Sequence, residues 1–168
     1  AFAIVIGVTM VSGTLVLTNT ANYDGPTLIN AGVLQIGDGN LTGALPAGTK
    51  VLDNSVLLFN RNEPLTFNNP IAGSGIIAQG SPSTLTLNGS YPGFGGGAGV
   101  DQGTLNFNAD PNYVGLLVFG TSNAVTTTGT VDLTGRNASF GGLLAQNNNP
   151  ANNTIMIVTP ECGRDLNA

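Results

Sequence analysis

The sequence predicts an all-β fold, a β-solenoid of stacked coils, from three observations. The composition of the 168 residues favours strands and turns, with 25 Gly, no Trp and only 8% charged residues. Short alternating segments are separated by Asn, Asp, Gly and Pro, and almost nothing has helical spacing. A set of residues also recurs at constant spacing: Gly13-Thr14-Leu15, Asn22-Tyr23 and Gly25 return as Gly103-Thr104-Leu105, Asn112-Tyr113 and Gly115. Units this small bury an apolar side only by stacking on one another.

The strands are predicted between turn-forming sequences such as Gly37-Asp38-Gly39-Asn40 and Asn68-Asn69-Pro70. In chain order they are residues 14–18, 27–30, 33–36, 50–53, 55–60, 65–67, 75–78, 84–87, 104–108, 115–119, 125–127, 130–134, 139–145 and 154–159. Alternation within each strand assigns one set of side chains to the interior. This set is Leu15, Leu17, Ile29, Leu34, Ile36, Leu57, Phe59, Ile76, Leu85, Leu87, Leu105, Phe107 and Val131.

The first eleven residues are apolar almost without interruption, and their β-branched content predicts a strand that is apolar on both faces. Such a strand must lie inside its own domain or be inserted into a neighbour, because an exposed one aggregates. We predict insertion into the next copy, which gives a homopolymer; burial in the chain's own first coil is the alternative. The predicted subunit interface is Phe2, Ile4, Val5, Ile6, Val8, Met10 and Val11.

These patterns divide the chain into three parts. Residues 1–12 are the apolar terminal strand, residues 13–159 the solenoid, and residues 160–168 a polar C-terminal tail. No apolar stretch reaches the roughly 20 residues of a membrane-spanning helix.

The chain has no His and a single Cys162, which removes the commonest general base and the usual metal ligands. A net charge of −5 argues against nucleic acid as a partner. The acidic residues are scattered, and most of them stand among Asn, Gly or Pro at presumed turns, where a solvated side chain is the default: Asp53, Glu63, Asp101, Asp110 and Asp132. We therefore predict no enzyme activity, no catalytic residues, no metal and no cofactor.

Two weaker patterns raise the question of a calcium site and of a sugar-binding groove. Residues 96–101 fit the first six positions of a calcium-binding nonapeptide, but there is no tandem copy, so a flexible glycine turn is favoured. Tyr23, Tyr91 and Tyr113 are candidates to line a sugar groove. Because they recur in register with the repeat, a packing role is favoured for them.

Residues 13–39 and their continuation through Leu57-Leu58-Phe59-Asn60-Arg61, Ile71-Ala72-Gly73-Ser74-Gly75 and Ser83-Thr84-Leu85-Thr86-Leu87 resemble the passenger-associated strand repeat of bacterial autotransporters. The resemblance covers residues 13–90. It implies a right-handed parallel β-helix located outside the cell, often as an adhesin stalk, and carries no catalytic residues with it.

Two functions follow, both at a bacterial cell surface or in the extracellular space. The favoured one is a secreted structural subunit that assembles with copies of itself into a fibre, sheath or surface coat. The alternative is an adhesin passenger fragment that binds glycans or surfaces. A polysaccharide-processing enzyme ranks a distant third.

Overall fold

A computed structural model describes residues 7–40, 43–110, 115–120, 128–146 and 153–156. These residues form strands, turns and loops, without a helix among them. The strands are Val8–Met10 (β1), Thr14–Leu17 (β2), Thr27–Ile29 (β3), Val33–Ile36 (β4), Val51–Asp53 (β5), Val56–Phe59 (β6), Leu65–Phe67 (β7), Ile71–Ala72 (β8), Ile76–Gln79 (β9), Thr84–Leu87 (β10), Gly97–Val100 (β11), Gly103–Phe107 (β12), Leu116–Phe119 (β13), Gly129–Asp132 (β14), Gly142–Ala145 (β15) and Thr154–Met156 (β16).

The strands form three parallel sheets, which the chain visits in turn as it winds. The four-stranded sheet has the order β1-β3-β5-β8, and the five-stranded sheet has the order β16-β14-β12-β10-β7. The seven-stranded sheet has the order β15-β13-β11-β9-β6-β4-β2. Each strand therefore pairs with its counterpart in the next coil, and the predicted parallel β-solenoid is confirmed. At the usual strand spacing, seven strands span about 29 Å along the solenoid axis.

The core lies between the three sheets and is filled by side chains stacked in rows along the axis. Leu34, Leu57 and Ile77 form one such row in the seven-stranded sheet, and each is fully buried. The rings of Phe59 and Phe67 meet edge to face, with 5.0 Å between their centroids. Most of the predicted interior is confirmed as buried: Ile29, Leu34, Ile36, Leu57, Phe59, Leu85, Leu87, Leu105, Phe107 and Val131.

Two predicted core residues are in fact exposed. Leu15 is 36% exposed because β2 is the terminal strand of its sheet, so a coil covers it from one side only. Ile76 is 38% exposed because the alternation in β9 is shifted by one residue from the prediction. Ile77 is aligned with Leu57 and points inward, which turns Ile76 outward.

The glycine-rich segment at residues 96–101 is not the flexible turn that the sequence favoured. Gly97–Val100 forms β11, a buried strand in the interior of the seven-stranded sheet, between β9 and β13. A β-carbon on Gly97 would lie 2.6 Å from the carbonyl oxygen of Leu116, so glycine allows the neighbouring coil to approach here. The backbone groups of β11 are engaged in pairing with β9 and β13, which removes the loop that a calcium nonapeptide requires.

The N-terminal strand lies in the chain's own first coil over the part that the structure describes. β1 pairs with β3 in parallel, with Val8 opposite Thr27 and Met10 opposite Ile29. Met10 is buried, whereas Val11 is 71% exposed. Four residues of the predicted interface, Phe2, Ile4, Val5 and Ile6, lie outside the described residues, as do the predicted strand at 125–127 and the tail at 160–168. Assembly through this strand remains a prediction.

The described residues contain no helix with the length and apolar character needed to cross a bilayer.

Candidate binding surfaces

The outer face of the seven-stranded sheet is largely apolar. Because side chains alternate along a strand, the register of the seven strands defines which residues point outward. These residues are Thr14, Val16, Val33, Gln35, Val56, Leu58, Ile76, Ala78, Gly97, Gly99, Leu116, Val118, Gly142 and Leu144. None of them is charged, and only Thr14 and Gln35 carry a polar side chain. This set of fourteen residues is called the outer face below.

Large apolar side chains on the outer face remain accessible to water. Val16 is 40% exposed, Ile76 38%, Leu116 43% and Leu144 36%. Several exposed apolar side chains on one sheet face are typical of a contact site for another molecule. The outer face is therefore the first candidate surface.

A second candidate is an open groove between two loops at a corner of the solenoid, called the loop groove below. Its volume is about 590 Å³, within the usual range of small-ligand sites. Residues 22–26 form one wall and residues 46–50 the other. The backbone N–H of Thr27 donates to the carbonyl oxygen of Lys50 at 2.9 Å, which ties the two walls together at one end.

Both walls of the loop groove are held by internal hydrogen bonds. The hydroxyl groups of Tyr23 and Thr27 share a hydrogen bond of 2.6 Å, and Thr27 is fully buried. On the other wall, the buried Asn69 donates through Nδ2 to the carbonyl oxygens of Pro46 at 2.7 Å and Thr49 at 2.9 Å. The groove is thus built before any ligand arrives.

The loop groove presents both polar and apolar groups. Asn22, Asp24 and Lys50 are exposed, whereas Tyr23 is half-buried and packs against the hydrophobic core. Burial raises the pKa of Tyr23, with a smaller opposing effect of its hydrogen bond to Thr27, so its hydroxyl stays protonated. The packing role predicted for Tyr23 is confirmed, and its ring lines the groove as well.

Of the other two tyrosines, the structure describes only Tyr91. Tyr91 is half-buried and packs against the core, as predicted. Tyr113 lies outside the described residues.

Asp53 is not at a solvated turn as predicted, but ends β5 inside the fold with 0% of its surface exposed. Its Oδ1 accepts the backbone N–H of Ser55 at 3.0 Å, and its buried Oδ2 has no hydrogen-bond partner among the described residues. Burial raises the pKa of this carboxyl from 3.8 to about 7, and the hydrogen bond from Ser55 offsets part of the effect. Burial of this carboxyl therefore bears on the stability of the fold and on how that stability depends on pH.

Two further predicted turn residues lie nearer the surface: Asp110 is exposed outside the strands, and Asp132 is half-buried at the end of β14, not in a turn. Asp132 accepts the backbone N–H of Thr134 at 2.9 Å, and Asp110 accepts that of Asn137 at 3.1 Å. Glu63 is exposed and Asp101 is half-buried. Across the described ranges, no three His, Cys, Asp or Glu residues are grouped as metal ligands.

Comparison with known proteins connects the N-terminal coils to one family. Residues 12–36 match the family model described as Passenger-associated-transport-repeat, so the predicted resemblance is confirmed for β2, β3 and β4. The chain is also 44% identical over 63 residues to the autotransporter adhesin BmaC of Brucella suis biovar 1 (strain 1330). That alignment covers 38% of this chain and 2% of the adhesin. No solved structure matches the chain.

Sequence reasoning missed the outer face, and of the loop groove it identified only Tyr23, as a candidate to line a sugar groove. The outer face was obscured because continuous apolar runs, such as Val56-Leu57-Leu58-Phe59, do not reveal which side faces water. The loop groove depends on Asn69 contacting residues 20 and 23 positions earlier, which no local pattern indicates. The one available signal was Tyr23, whose repeat position was correctly associated with packing.

Proposed function

We propose that this chain is a passenger segment of a bacterial surface adhesin, displayed outside the cell. The family match at residues 12–36 and the likeness to a protein named as an autotransporter adhesin support this proposal. The observation that carries it is the uncharged outer face with its exposed apolar side chains. The stacked coils display that face as one extended surface, because each strand pairs with its counterpart in the next coil.

Contact through the outer face is driven by the burial of apolar surface. Covering a leucine side chain that was exposed is worth about 1.5–3 kcal/mol for full burial, and less for the half-exposed residues of this face. Covering this face also desolvates no charged side chain, which removes the largest cost of contact. Many copies on one cell would strengthen a weak contact through multivalency.

Beads coated with the purified chain test the proposal by their attachment to an apolar surface and to epithelial cells. Leu116→Lys places a charge on the outer face, and we expect it to reduce attachment severalfold. Leu52→Lys is the matched control because Leu52 is 37% exposed but belongs to the four-stranded sheet. The proposal is wrong if wild-type beads do not attach to either surface, or if both variants reduce attachment equally.

Self-association is a second candidate, and the same face favours it. Two copies that meet outer face to outer face bury apolar residues against each other without desolvating a charged side chain. At about 29 Å by about 13 Å, the face offers roughly half of the ~800 Å² per partner of a stable interface. We therefore propose a weak contact between copies, and assembly into a fibre, sheath or coat remains a prediction.

Sedimentation of the purified chain over a wide concentration range tests self-association. Leu116→Lys should abolish a concentration-dependent shift that Leu52→Lys preserves. The route through the N-terminal strand predicts instead that Val11→Lys is the sensitive change, since Val11 is exposed beside β1 while Met10 is part of the core. A wild-type chain that stays monomeric at all concentrations would rule out both routes.

A further inference from the structure

We infer that the loop groove is a binding site for a neutral saccharide of one or two rings. This inference rests on the proposed adhesin function, which it supplies with a ligand class. It starts from a groove of about 590 Å³ lined by a tyrosine ring, two prolines, a carboxylate, an amide and an ammonium group.

The groups in the groove match the two sides of a sugar ring. A pyranose has an apolar C–H face and a rim of hydroxyl groups that both donate and accept hydrogen bonds. Tyr23, Pro26 and Pro46 supply apolar surface, and the Tyr23 hydroxyl is already bonded to Thr27, so Tyr23 offers its aromatic ring to a sugar. The carboxylate of Asp24 accepts from hydroxyls, while Asn22 and Lys50 donate to them.

Charge decides between neutral and acidic saccharides. Lys50 is the one lysine of a chain whose net charge is −5, and Asp24 lines the same groove. A uronate or sialic acid in the groove meets the carboxylate of Asp24 as well as the ammonium of Lys50, so repulsion by the acid offsets the attraction to the lysine. Neutral hexoses and N-acetylhexosamines meet no such penalty.

The rigidity of the walls favours binding of a small ligand with few contacts. Tyr23 is fixed by Thr27, and the opposite wall is fixed by Asn69 through two backbone carbonyls. Little conformational entropy is then lost when a sugar binds. An open groove of this kind suggests dissociation constants in the millimolar range for a single ring, with avidity supplied by repeated display.

Amide chemical shifts of the nitrogen-15-labelled chain test the site during titration with methyl glycosides of glucose, galactose, mannose and N-acetylglucosamine. We expect at least one of these to shift residues 22–26 and 46–50 in a saturable way. Asp24→Ala should weaken that binding by about tenfold. Glu63→Ala, which removes an exposed carboxylate outside the groove, should leave it unchanged within twofold.

Other outcomes overturn the inference. The inference is wrong if no neutral glycoside produces a saturable shift, or if Asp24→Ala and Glu63→Ala weaken sugar binding equally. It is also wrong if sialyllactose binds more tightly than the neutral glycosides and Lys50→Gln abolishes that binding. Saturation of the groove by a peptide alone would equally reject a sugar site. Bead attachment reports on the adhesin function separately: attachment without sugar binding rejects only the groove, and sugar binding without attachment rejects only the adhesin function.

Discussion

The carboxyl group of Asp53 occupies the space that a β-carbon at position 75 would need. Asp53 Oδ1 and the backbone nitrogen of Ser55 both lie too close to that site for any side chain to be added without movement. Gly75 in turn donates its N–H to the carbonyl oxygen of Asp53 at 2.8 Å. Two adjacent coils therefore approach closely at this point. One contributes the buried carboxyl of Asp53, and the other contributes Gly75, whose lack of a side chain leaves room for it.

Gly75→Ala should destabilise the fold by about 1–3 kcal/mol, because the added methyl group must displace backbone and a buried carboxyl. Gly142→Ala is the control, since the nearest atom is the flexible end of Leu116 at 3.0 Å. Urea unfolding measures both. Equal stability of the two variants would contradict the tight approach at Gly75.

The stability of the fold should decrease as the pH rises from about 4 to about 7. The pKa of Asp53 is raised from 3.8 to about 7, so the folded state holds this proton more tightly than the unfolded state does. The stabilisation is complete below pH 3.8 and is lost as the pH passes through 7. It amounts to roughly 4 kcal/mol at most.

Urea unfolding of Asp53→Asn at pH 5 and pH 8 tests this assignment. The variant removes the ionisable group, so the difference in unfolding free energy between the two pH values should shrink markedly. Glu63→Gln, an exposed acid that is also made neutral, should keep the wild-type difference. A pH dependence that survives in Asp53→Asn would show that another group causes it.

Three asparagines form a ladder along the outside of the solenoid. Asn88 Nδ2 donates to Asn68 Oδ1 at 2.7 Å, and Asn108 Nδ2 donates to Asn88 Oδ1 at 3.2 Å. Asn88→Ala removes both hydrogen bonds and should cost about 1–2 kcal/mol, whereas Asn68→Ala and Asn108→Ala each remove one. Thermal unfolding of the single variants and of the double variant Asn68→Ala/Asn88→Ala measures the coupling free energy between these two asparagines. Additive effects of Asn68→Ala and Asn88→Ala would contradict a shared bond.

The solenoid itself was predictable because its signals are local. Short strands, turn residues and a spacing of about 20 residues between Leu34, Leu57 and their successors specify stacked coils. The repeated Gly-Thr-Leu set correctly indicated strands, but its two copies do not lie in the same sheet. Leu15 lies in the seven-stranded sheet and Leu105 in the five-stranded sheet, so the set marks a type of strand and not a fixed position in the coil.

Three features of the fold could not be predicted from the sequence, because each is decided by contacts between coils. Whether Ile76 or Ile77 points inward is decided by pairing with Leu57, since an apolar pair satisfies either alternation. Asp53 stood at the end of the predicted strand 50–53, next to Asn54, where a solvated carboxylate is the default, and only the packing of neighbouring coils shows that it is buried. Residues 97–100 looked like a turn because glycine is a turn former, but neighbouring strands impose the extended conformation.

The central claim is that the outer face of the seven-stranded sheet is the surface through which the chain adheres. A polarity-sensitive fluorophore on cysteine tests it most directly, with Cys162 replaced by serine and a single cysteine introduced at Ile76 or, as control, at Leu52. When coated beads attach, we expect the emission at position 76 to shift to shorter wavelength while that at position 52 stays unchanged. An unchanged signal at position 76 during firm attachment, or an equal shift at both positions, would contradict the claim.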